Sequence, residues 1–316
     1  MPIRSATCRS SNQRSLGSEI DQREWRSWVD AVRHVHPAAI TGAGAVFLRP
    51  PNPFVNANET FNRTGAKPIN WLSFHQRSPV LKLAFPGTRG EIEARTRLHR
   101  MHSCVLVEGR VLVDCGADWL SKFEAFEPEA IVLTHAHPDH AGGLKHGAPC
   151  KVYATTETWD RLKRYPVRQR STICPRRPFS IADCMFEAFT VEHALIAPAV
   201  GYRITRGAVS VFYVPDLVKI HQRHEAMSSI ALYIGDGASI TRPLLRRRAD
   251  TTIGHASVRD QLNWCHEEGV QQAVITHCGS RQNRAWGRCH ENRGVRERAR
   301  SSRGRRARWS GNQCQQ

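Results

Sequence analysis

Thr134-His135-Ala136-His137-Pro138-Asp139-His140-Ala141-Gly142-Gly143 follows directly on the apolar run Ala130-Ile131-Val132-Leu133. The run predicts a short buried strand, and the polar stretch is the turn that leaves its carboxyl end. Open α/β architectures place their chemistry at such strand ends. His135 and His137 alternate, so an extended backbone points both imidazoles to one side, while Asp139 and His140 point to a second position nearby. One loop can therefore seed two metal sites. The competing reading, a histidine-rich surface turn, gives no reason for this fixed spacing after a strand.

The pattern His-x-His-x-Asp-His after a strand resembles the signature of the metallo-β-lactamase superfamily of binuclear metallohydrolases. Further marks fall in the order that this resemblance leads one to expect. Asp114 ends Arg110-Val111-Leu112-Val113, ahead of Cys115-Gly116, and His193 closes Phe189-Thr190-Val191-Glu192. Asp216 follows Val211-Phe212-Tyr213-Val214-Pro215, and His277 ends Ala273-Val274-Ile275-Thr276. Scattered core histidines would have no reason to repeat a strand-end position. The resemblance extends from about Val80 to Ser280 and implies a layered αββα sandwich, an α/β fold. It also implies one ion on His135, His137 and His193, a second on Asp139, His140 and His277, and Asp216 bridging them. Asp139 would also orient the attacking water, and Asp114 would accept a hydrogen bond from a ligand imidazole, with a purely structural cap as its alternative role.

The ligand types themselves favour zinc, with manganese or iron as competitors, because hard oxygen-seeking cations would not select so many imidazoles. Two ions about 3.5–4 Å apart can bring the pKa of a shared water toward about 7, so no serine or cysteine nucleophile is required. Asp236, after Ala231-Leu232-Tyr233-Ile234-Gly235, competes with Asp216 for the bridging position. The resemblance favours Asp216, because the bridging residue of that superfamily follows the hairpin after the third histidine, and Asp216 leaves the hairpin that follows His193.

The formal charge of +18 over 316 residues invites a nucleic-acid reading until it is divided along the chain. Residues 1–77 carry +5 and residues 281–316 carry +9, so residues 78–280 hold only +4. Three segments are expected: a mostly irregular extension over 1–77, a catalytic domain over 78–280, and a disordered arginine-rich tail over 281–316. In the first segment only Glu24 to Val35 has a helical pattern. The tail reads either as an RNA-binding arm or, with more weight, as a shifted reading frame, and a closing helix and strand after His277 are not recognisable. No apolar run approaches eighteen residues and no apolar segment follows Arg4 and Arg9, so neither a membrane span nor a secretory signal is expected. The ten cysteines form no Cys-x-x-Cys pair. They read as buried thiols of a cytoplasmic protein.

The middle of the chain alternates strands and helices. Strands are expected at Val80–Phe85, Ser103–Glu108, Arg110–Asp114, Lys151–Tyr153, Met185–Val191, Tyr202–Thr205 and Val209–Val214, with hairpins at Gly109 and between the last two. Helices are expected over Trp119–Phe126, over Glu157–Arg164, and from Val258 to a stop at Gly269.

Two segments narrow the substrate. Phe85-Pro86-Gly87-Thr88-Arg89-Gly90 and Gly254-His255-Ala256-Ser257 resemble the ribonuclease Z and phosphoribosyl cyclic phosphodiesterase branch. That resemblance implies hydrolysis of a phosphodiester, with His255 near the scissile phosphate, where it would stabilise charge or protonate the leaving oxygen. A helix-entry role is the alternative for His255. Arg95, Arg97, His99 and Arg100 are candidates for a phosphate clamp, with a solvated loop as the alternative. The span Ala154 to Phe189 is too short for the Gly- and Pro-rich insertion by which ribonuclease Z grips tRNA, which favours a small or cyclic phosphodiester over RNA. A tRNA-processing endoribonuclease and a glyoxalase-type thioesterase are the alternative enzymes. A basic nucleic-acid-binding protein with a decayed enzyme core is the alternative outside enzymology.

Overall fold

The computed structural model describes residues 45–48, 80–96, 99–248 and 251–279. Arg97, the Glu24–Val35 helix and the arginine-rich tail lie outside them. Two sheets form the centre. The first contains β1 (Ala45–Leu48), β2 (Leu81–Gly87), β3 (Cys104–Val107), β4 (Val111–Val113), β5 (Ala130–Val132), β6 (Lys151–Ala154) and β7 (Arg170–Thr172), in that spatial order. It is antiparallel from β1 to β4 and parallel from β4 to β7. The switch follows from connection length. Glu108 and Gly109, both at positive φ, reverse the chain tightly between β3 and β4, whereas the later strands are joined by helical crossovers.

The second sheet contains β8 (Phe179–Ile181), β9 (Cys184–Glu192), β10 (Ala199–Arg206), β11 (Val209–Tyr213), β12 (Lys219–Ile220), β13 (Leu232–Asp236) and β16 (Ala273–Thr276). Its order is β12-β9-β10-β11-β13-β16, with β8 paired to β9. The pairs β11–β13 and β13–β16 are parallel, so the carboxyl ends of these strands lie together. A separate two-stranded ribbon pairs β14 (Leu244–Arg248) with β15 (Thr251–His255).

Side chains that alternate inward from both sheets make the central core. Val105, Val107, Val111 and Val113 from the first sheet join Phe186, Tyr202, Val211 and Tyr213 from the second in one buried cluster. The far face of the second sheet, with Phe189, Phe212 and Tyr233, is covered by α3 (Arg223–Met227) and α4 (Val258–Glu267) through Ala226, Met227 and Cys265. The first sheet carries short turns, α1 (Pro138–Ala141) and α2 (Thr156–Arg161). The order of layers is αββα, as expected.

Most helix and strand positions agree with the sequence reading within a few residues. The stretch Trp119–Phe126 does not. It forms two 3₁₀ turns, Ala117–Trp119 and Phe123–Phe126, because Ser121 between them takes a positive φ of 57° that no right-handed helix accommodates. Its large residues still bury: Trp119, Phe123 and Phe126 are almost fully covered. Between Ala154 and Phe189 the chain holds only α2, β7, β8 and the start of β9, with no inserted arm. Seven cysteines among the described residues are free thiols, and all but Cys174 are buried.

Candidate metal centre

β5 delivers the histidine loop to the upper edge of the first sheet. His137 keeps extended backbone and caps α1, whose first residue is Pro138, a position where the missing N–H costs nothing. The helical turn then swings Asp139 and His140 away from the direction taken by His135 and His137. The loop is packed from below by Asp114-Cys115-Gly116: the Cys115 amide donates to the His140 carbonyl at 2.7 Å, and the Gly143 amide donates to the Cys115 carbonyl at 2.8 Å. Gly116 has to be glycine, since a Cβ there would sit 1.9 Å from the Asp139 carbonyl oxygen.

The second sheet and the separate β14–β15 ribbon supply the opposite wall from separate strand ends. His193 follows β9, Asp216 follows β11, Asp236 ends β13, His255 ends β15 and His277 follows β16. The fold gathers these into three groups whose donor atoms lie within 4.8 Å of one another. One is His135, His137, His193 and Asp216; another is Asp139, His140, Asp216 and His277; the third is Asp216, Asp236, His255 and His277. Asp216 belongs to all three. Its Oδ2 lies 3.4 Å from His135 Nε2, 3.5 Å from His193 Nε2 and 3.0 Å from His140 Nε2, and its Oδ1 lies 3.0 Å from His277 Nδ1.

Imidazole nitrogens in the first group meet nitrogen to nitrogen. His137 Nδ1 is 2.9 Å from His135 Nε2 and 3.2 Å from His193 Nε2. In the second group nitrogens meet carboxylates, with His277 Nε2 3.0 Å from Asp139 Oδ2. Four buried side-chain polar atoms among the described residues lack a hydrogen-bond partner, and three of them are His140 Nε2, Asp216 Oδ1 and His277 Nδ1. Each such orphan would cost about 1–3 kcal/mol if nothing satisfied it. Their contacts with one another are ion-pair approaches without hydrogen-bond geometry, and a divalent cation would engage all three, so the donor set fits metal ions.

Around these groups runs a layer of fixing contacts. Asp114, fully buried at a positive φ of 64°, accepts from the Thr134 amide at 2.8 Å and the Tyr213 hydroxyl at 3.2 Å, and its Oδ2 is 2.9 Å from His140 Nδ1. A non-glycine residue in this region costs about 1–3 kcal/mol and persists where surrounding bonds over-determine it. His193 Nδ1 meets the Gly254 carbonyl at 3.0 Å. His255 Nδ1 meets Asp236 Oδ2 at 2.8 Å and Asp216 Oδ1 at 3.3 Å. Asp236 is itself pinned: buried Gln261 accepts from its amide at 2.8 Å and donates to its carbonyl at 2.8 Å.

Protonation follows the two chemistries. Burial, then neighbouring His193, brings His137 down to about 4, and burial also lowers His135 and His193, so these three imidazoles are neutral at pH 7. Burial acts in the same direction on His140 and His277, but surrounding carboxylates outweigh it and both are raised. Burial would raise Asp139 and Asp216, yet facing imidazoles hold both well below the ordinary carboxylate range. At His255 the burial effect is overcome by Asp236 and Asp216, which push the imidazole up to about 10.

A cavity of about 940 Å³ opens over the centre. Its lining includes His137, Asp139, His193, Asp216, His255 and His277, with Glu91, Arg242 and Leu244 at other points of the wall. Of the residues proposed from sequence as a phosphate clamp, the described Arg95, His99 and Arg100 are not among those that line it. Arg95 pairs with Asp118 at 2.7 Å, His99 is buried with Nδ1 2.7 Å from the Thr88 hydroxyl, and Arg100 is exposed. Its neighbour Arg89 is buried, bonding Asp118 and the carbonyls of Arg100 and Gly90, and so braces the loop against which the His277 ring rests. Asp236's hold on His255, Gln261, Thr134 and the cavity-lining Arg242 were not singled out from sequence. Gly235-Asp236-Gly237 at a strand end was the available signal for the first. The others depend on contacts between segments distant in the chain.

A family model described as "Beta-lactamase superfamily domain" matches residues 109–278, more than half of the 316 residues. The chain belongs to this superfamily. Among curated proteins of known name it is 28% identical over 144 residues to "Ribonuclease Z" of Methanopyrus kandleri, covering 39% of this chain and 50% of that protein. It is also 25% identical over 191 residues to "Octanoyltransferase" of Porphyromonas gingivalis, covering 53% of this chain and 36% of that one. The chain thus spans half or less of the length of these relatives. Among solved structures, the metallo-beta-lactamase fold protein YhfI from Bacillus subtilis superposes with a TM-score of 0.50 at 16% identity, over 63% of this chain and 87% of that chain. The fold is therefore shared. Members of the superfamily carry divalent metal ions, and the two overlapping His/Asp groups have the donors to hold them.

Proposed function

We propose that the chain is a metal-dependent hydrolase of phosphodiesters. His135, His137, His193 and Asp216 would hold one divalent ion and Asp139, His140, His277 and Asp216 the other, with zinc the ion best matched to these donors and manganese or iron its competitors. Such a pair supplies an acidified water and a counter-charge for the scissile group. Asp216 would set the spacing of the two sites, since it alone reaches both, while Asp139 accepts from the water and directs it. Asp114 would hold His140 through Nδ1 and leave Nε2 facing inward.

The observation that carries the phosphodiester reading is the placement of His255. Its side chain keeps 23% exposure at the cavity wall, and Nδ1 is engaged by Asp236. Nε2 is then the atom available to substrate, and the carboxylates of Asp236 and Asp216 beside Nδ1 favour the protonated imidazole in the metal-free chain. From there it can donate to the oxygen that leaves phosphorus or neutralise a non-bridging oxygen, as hydrolysis of a phosphodiester needs. Arg242 adds a second cation to the same wall. The likeness to a ribonuclease Z supports the same class of substrate.

The test is a parallel assay of zinc- or manganese-loaded protein on bis(p-nitrophenyl) phosphate, a thioester and a cephalosporin. Phosphodiester cleavage that is abolished by chelation and falls by about two to four orders of magnitude in His255→Ala is expected. Cleavage of the thioester or cephalosporin alone overturns the reading.

A further inference from the structure

Beside the cavity stands the β14–β15 ribbon, whose sequence Arg242-Pro243-Leu244-Leu245-Arg246-Arg247-Arg248 has no counterpart elsewhere in the domain. All five residues of β14 are exposed, Leu244 and Leu245 by about half (51% and 48%), and the five of β15 are partly exposed. Two exposed leucines beside three exposed arginines serve no packing purpose in the body of the protein. No carboxylate among the described residues forms an ion pair with Arg242, Arg246, Arg247 or Arg248.

Strand geometry fixes how these side chains are displayed. Leu244 lines the catalytic cavity, while Leu245 lines a small separate hollow beside Trp264. Alternation then puts Arg246 and Arg248 on the Leu244 face and Arg247 on the other. Across the ribbon Leu244 pairs with His255, Arg246 with Ile253 and Arg248 with Thr251. One face therefore runs outward from His255 as a strip with an arginine at every second residue, about 6.8 Å apart at about 3.4 Å per residue. That spacing allows two successive backbone phosphates of an extended strand to meet successive guanidinium groups.

The base of the ribbon is bonded to the metal centre. The Gly254 amide donates to the His193 carbonyl at 2.9 Å, and the Gly254 carbonyl meets His193 Nδ1 at 3.0 Å. Gly254 has φ +127°, and a Cβ there would lie 1.8 Å from the Leu244 carbonyl oxygen, so the closeness of the two strands requires glycine. The strip thus has a set position relative to the reacting atoms.

We propose that this ribbon face is the docking strip for a single sugar–phosphate strand, with the cleaved phosphate at His255 and the following phosphates along Arg246 and Arg248. The inference rests on the phosphodiesterase reading and sets its substrate class: a linear nucleic-acid strand in place of the small or cyclic ester favoured by the sequence.

Binding of fluorescein-labelled phosphorothioate 12-mers, one ribo and one deoxyribo, to metal-loaded full-length protein is measured by anisotropy across a salt series. Comparison between variants isolates the strip from the arginines at the chain ends. For Arg246→Ala/Arg248→Ala we expect affinity near 0.1 M salt to fall on the order of tenfold, and the slope of log K against log salt to flatten by about 1.4, as for two lost phosphate contacts. Arg247→Ala, on the opposite face, should change both much less. Arg246→Glu should weaken binding further than Arg246→Ala. Preference for the ribo strand would assign RNA, and equal binding would assign recognition of the backbone alone. Unchanged affinity and slope in the double variant, or an equal loss in Arg247→Ala, overturns the strip. Failure of the unaltered protein to hydrolyse bis(p-nitrophenyl) phosphate would count against the hydrolase reading instead, and the anisotropy comparison would still decide the strip.

Discussion

The two walls of the cavity are built differently. The first sheet contributes one unbroken stretch, Thr134 to His140, carried on a single strand end and one helical turn. The second sheet contributes His193, Asp216, Asp236 and His277 and the β14–β15 ribbon contributes His255, each from the end of a different strand. The first wall forms wherever β5 and α1 form. The second exists only when β9, β11, β13 and β16 are in register, because a slip of one residue turns every side chain to the other face. The proposed bridging residue lies on the distributed wall, so the whole centre depends on the packing of the second sheet.

The largest expected effect separates the two aspartates of that wall. Asp216→Ala should weaken both metal sites and reduce turnover on the order of a thousandfold or more, since it removes the one carboxylate common to all three groups. Asp236→Ala should keep two ions and lose part of the activity, because Asp236 orients His255 and lies 3.5 Å from His277 Nδ1. Metal analysis of both variants checks this. Retention of both ions in Asp216→Ala with loss in Asp236→Ala would reverse the assignment of the bridge.

A comparison of the walls also explains what could be read in advance. The first wall was legible as a motif because its spacing is local, and Asp114 stood out at the end of a neighbouring strand. His193, Asp216 and His277 were legible only as a recurring strand-end position. The grip of Asp236 and Gln261 on His255 was hidden, since Gln261 lies on α4 and meets β13 only after the helix has packed. The helix expected at Trp119–Phe126 failed because apolar spacing carries no record of the left-handed residue at Ser121. The ribbon is not legible in the sequence, because consecutive exposed arginines show neither a helix nor a half-buried strand period.

A smaller effect is expected on the local wall. Asp114→Asn should lower metal affinity or activity about 10- to 100-fold by loosening His140, measured by competition with a chelator. A value equal to that of the unaltered protein would make Asp114 a cap for the Thr134 turn only.

At the ribbon, Gly254→Ala should cost about 1–3 kcal/mol from the forced backbone. The melting temperature should drop by about 2–4 °C per kcal/mol, as for a domain of this size. An unchanged melting temperature would show that the ribbon is not tied to His193 as described.

The smallest effect concerns thiols. Burial pushes Cys278 up to about 12 and Cys184 and Cys265 up to about 11, so at pH 8 they carry almost no thiolate and should resist a disulfide reagent until the protein unfolds. Exposed Cys174 should react in the native state, with Cys174→Ser lowering the number of fast-reacting thiols by one.

The two walls are proposed to hold a pair of ions together through Asp216. Plasma emission spectrometry of the folded full-length protein, after equilibration with zinc or manganese and removal of free ions, tests it most directly. About two ions per chain are expected in the unaltered protein and fewer than one in Asp216→Ala. A stoichiometry near zero in protein whose far-UV spectrum and melting transition show that it is folded would contradict it.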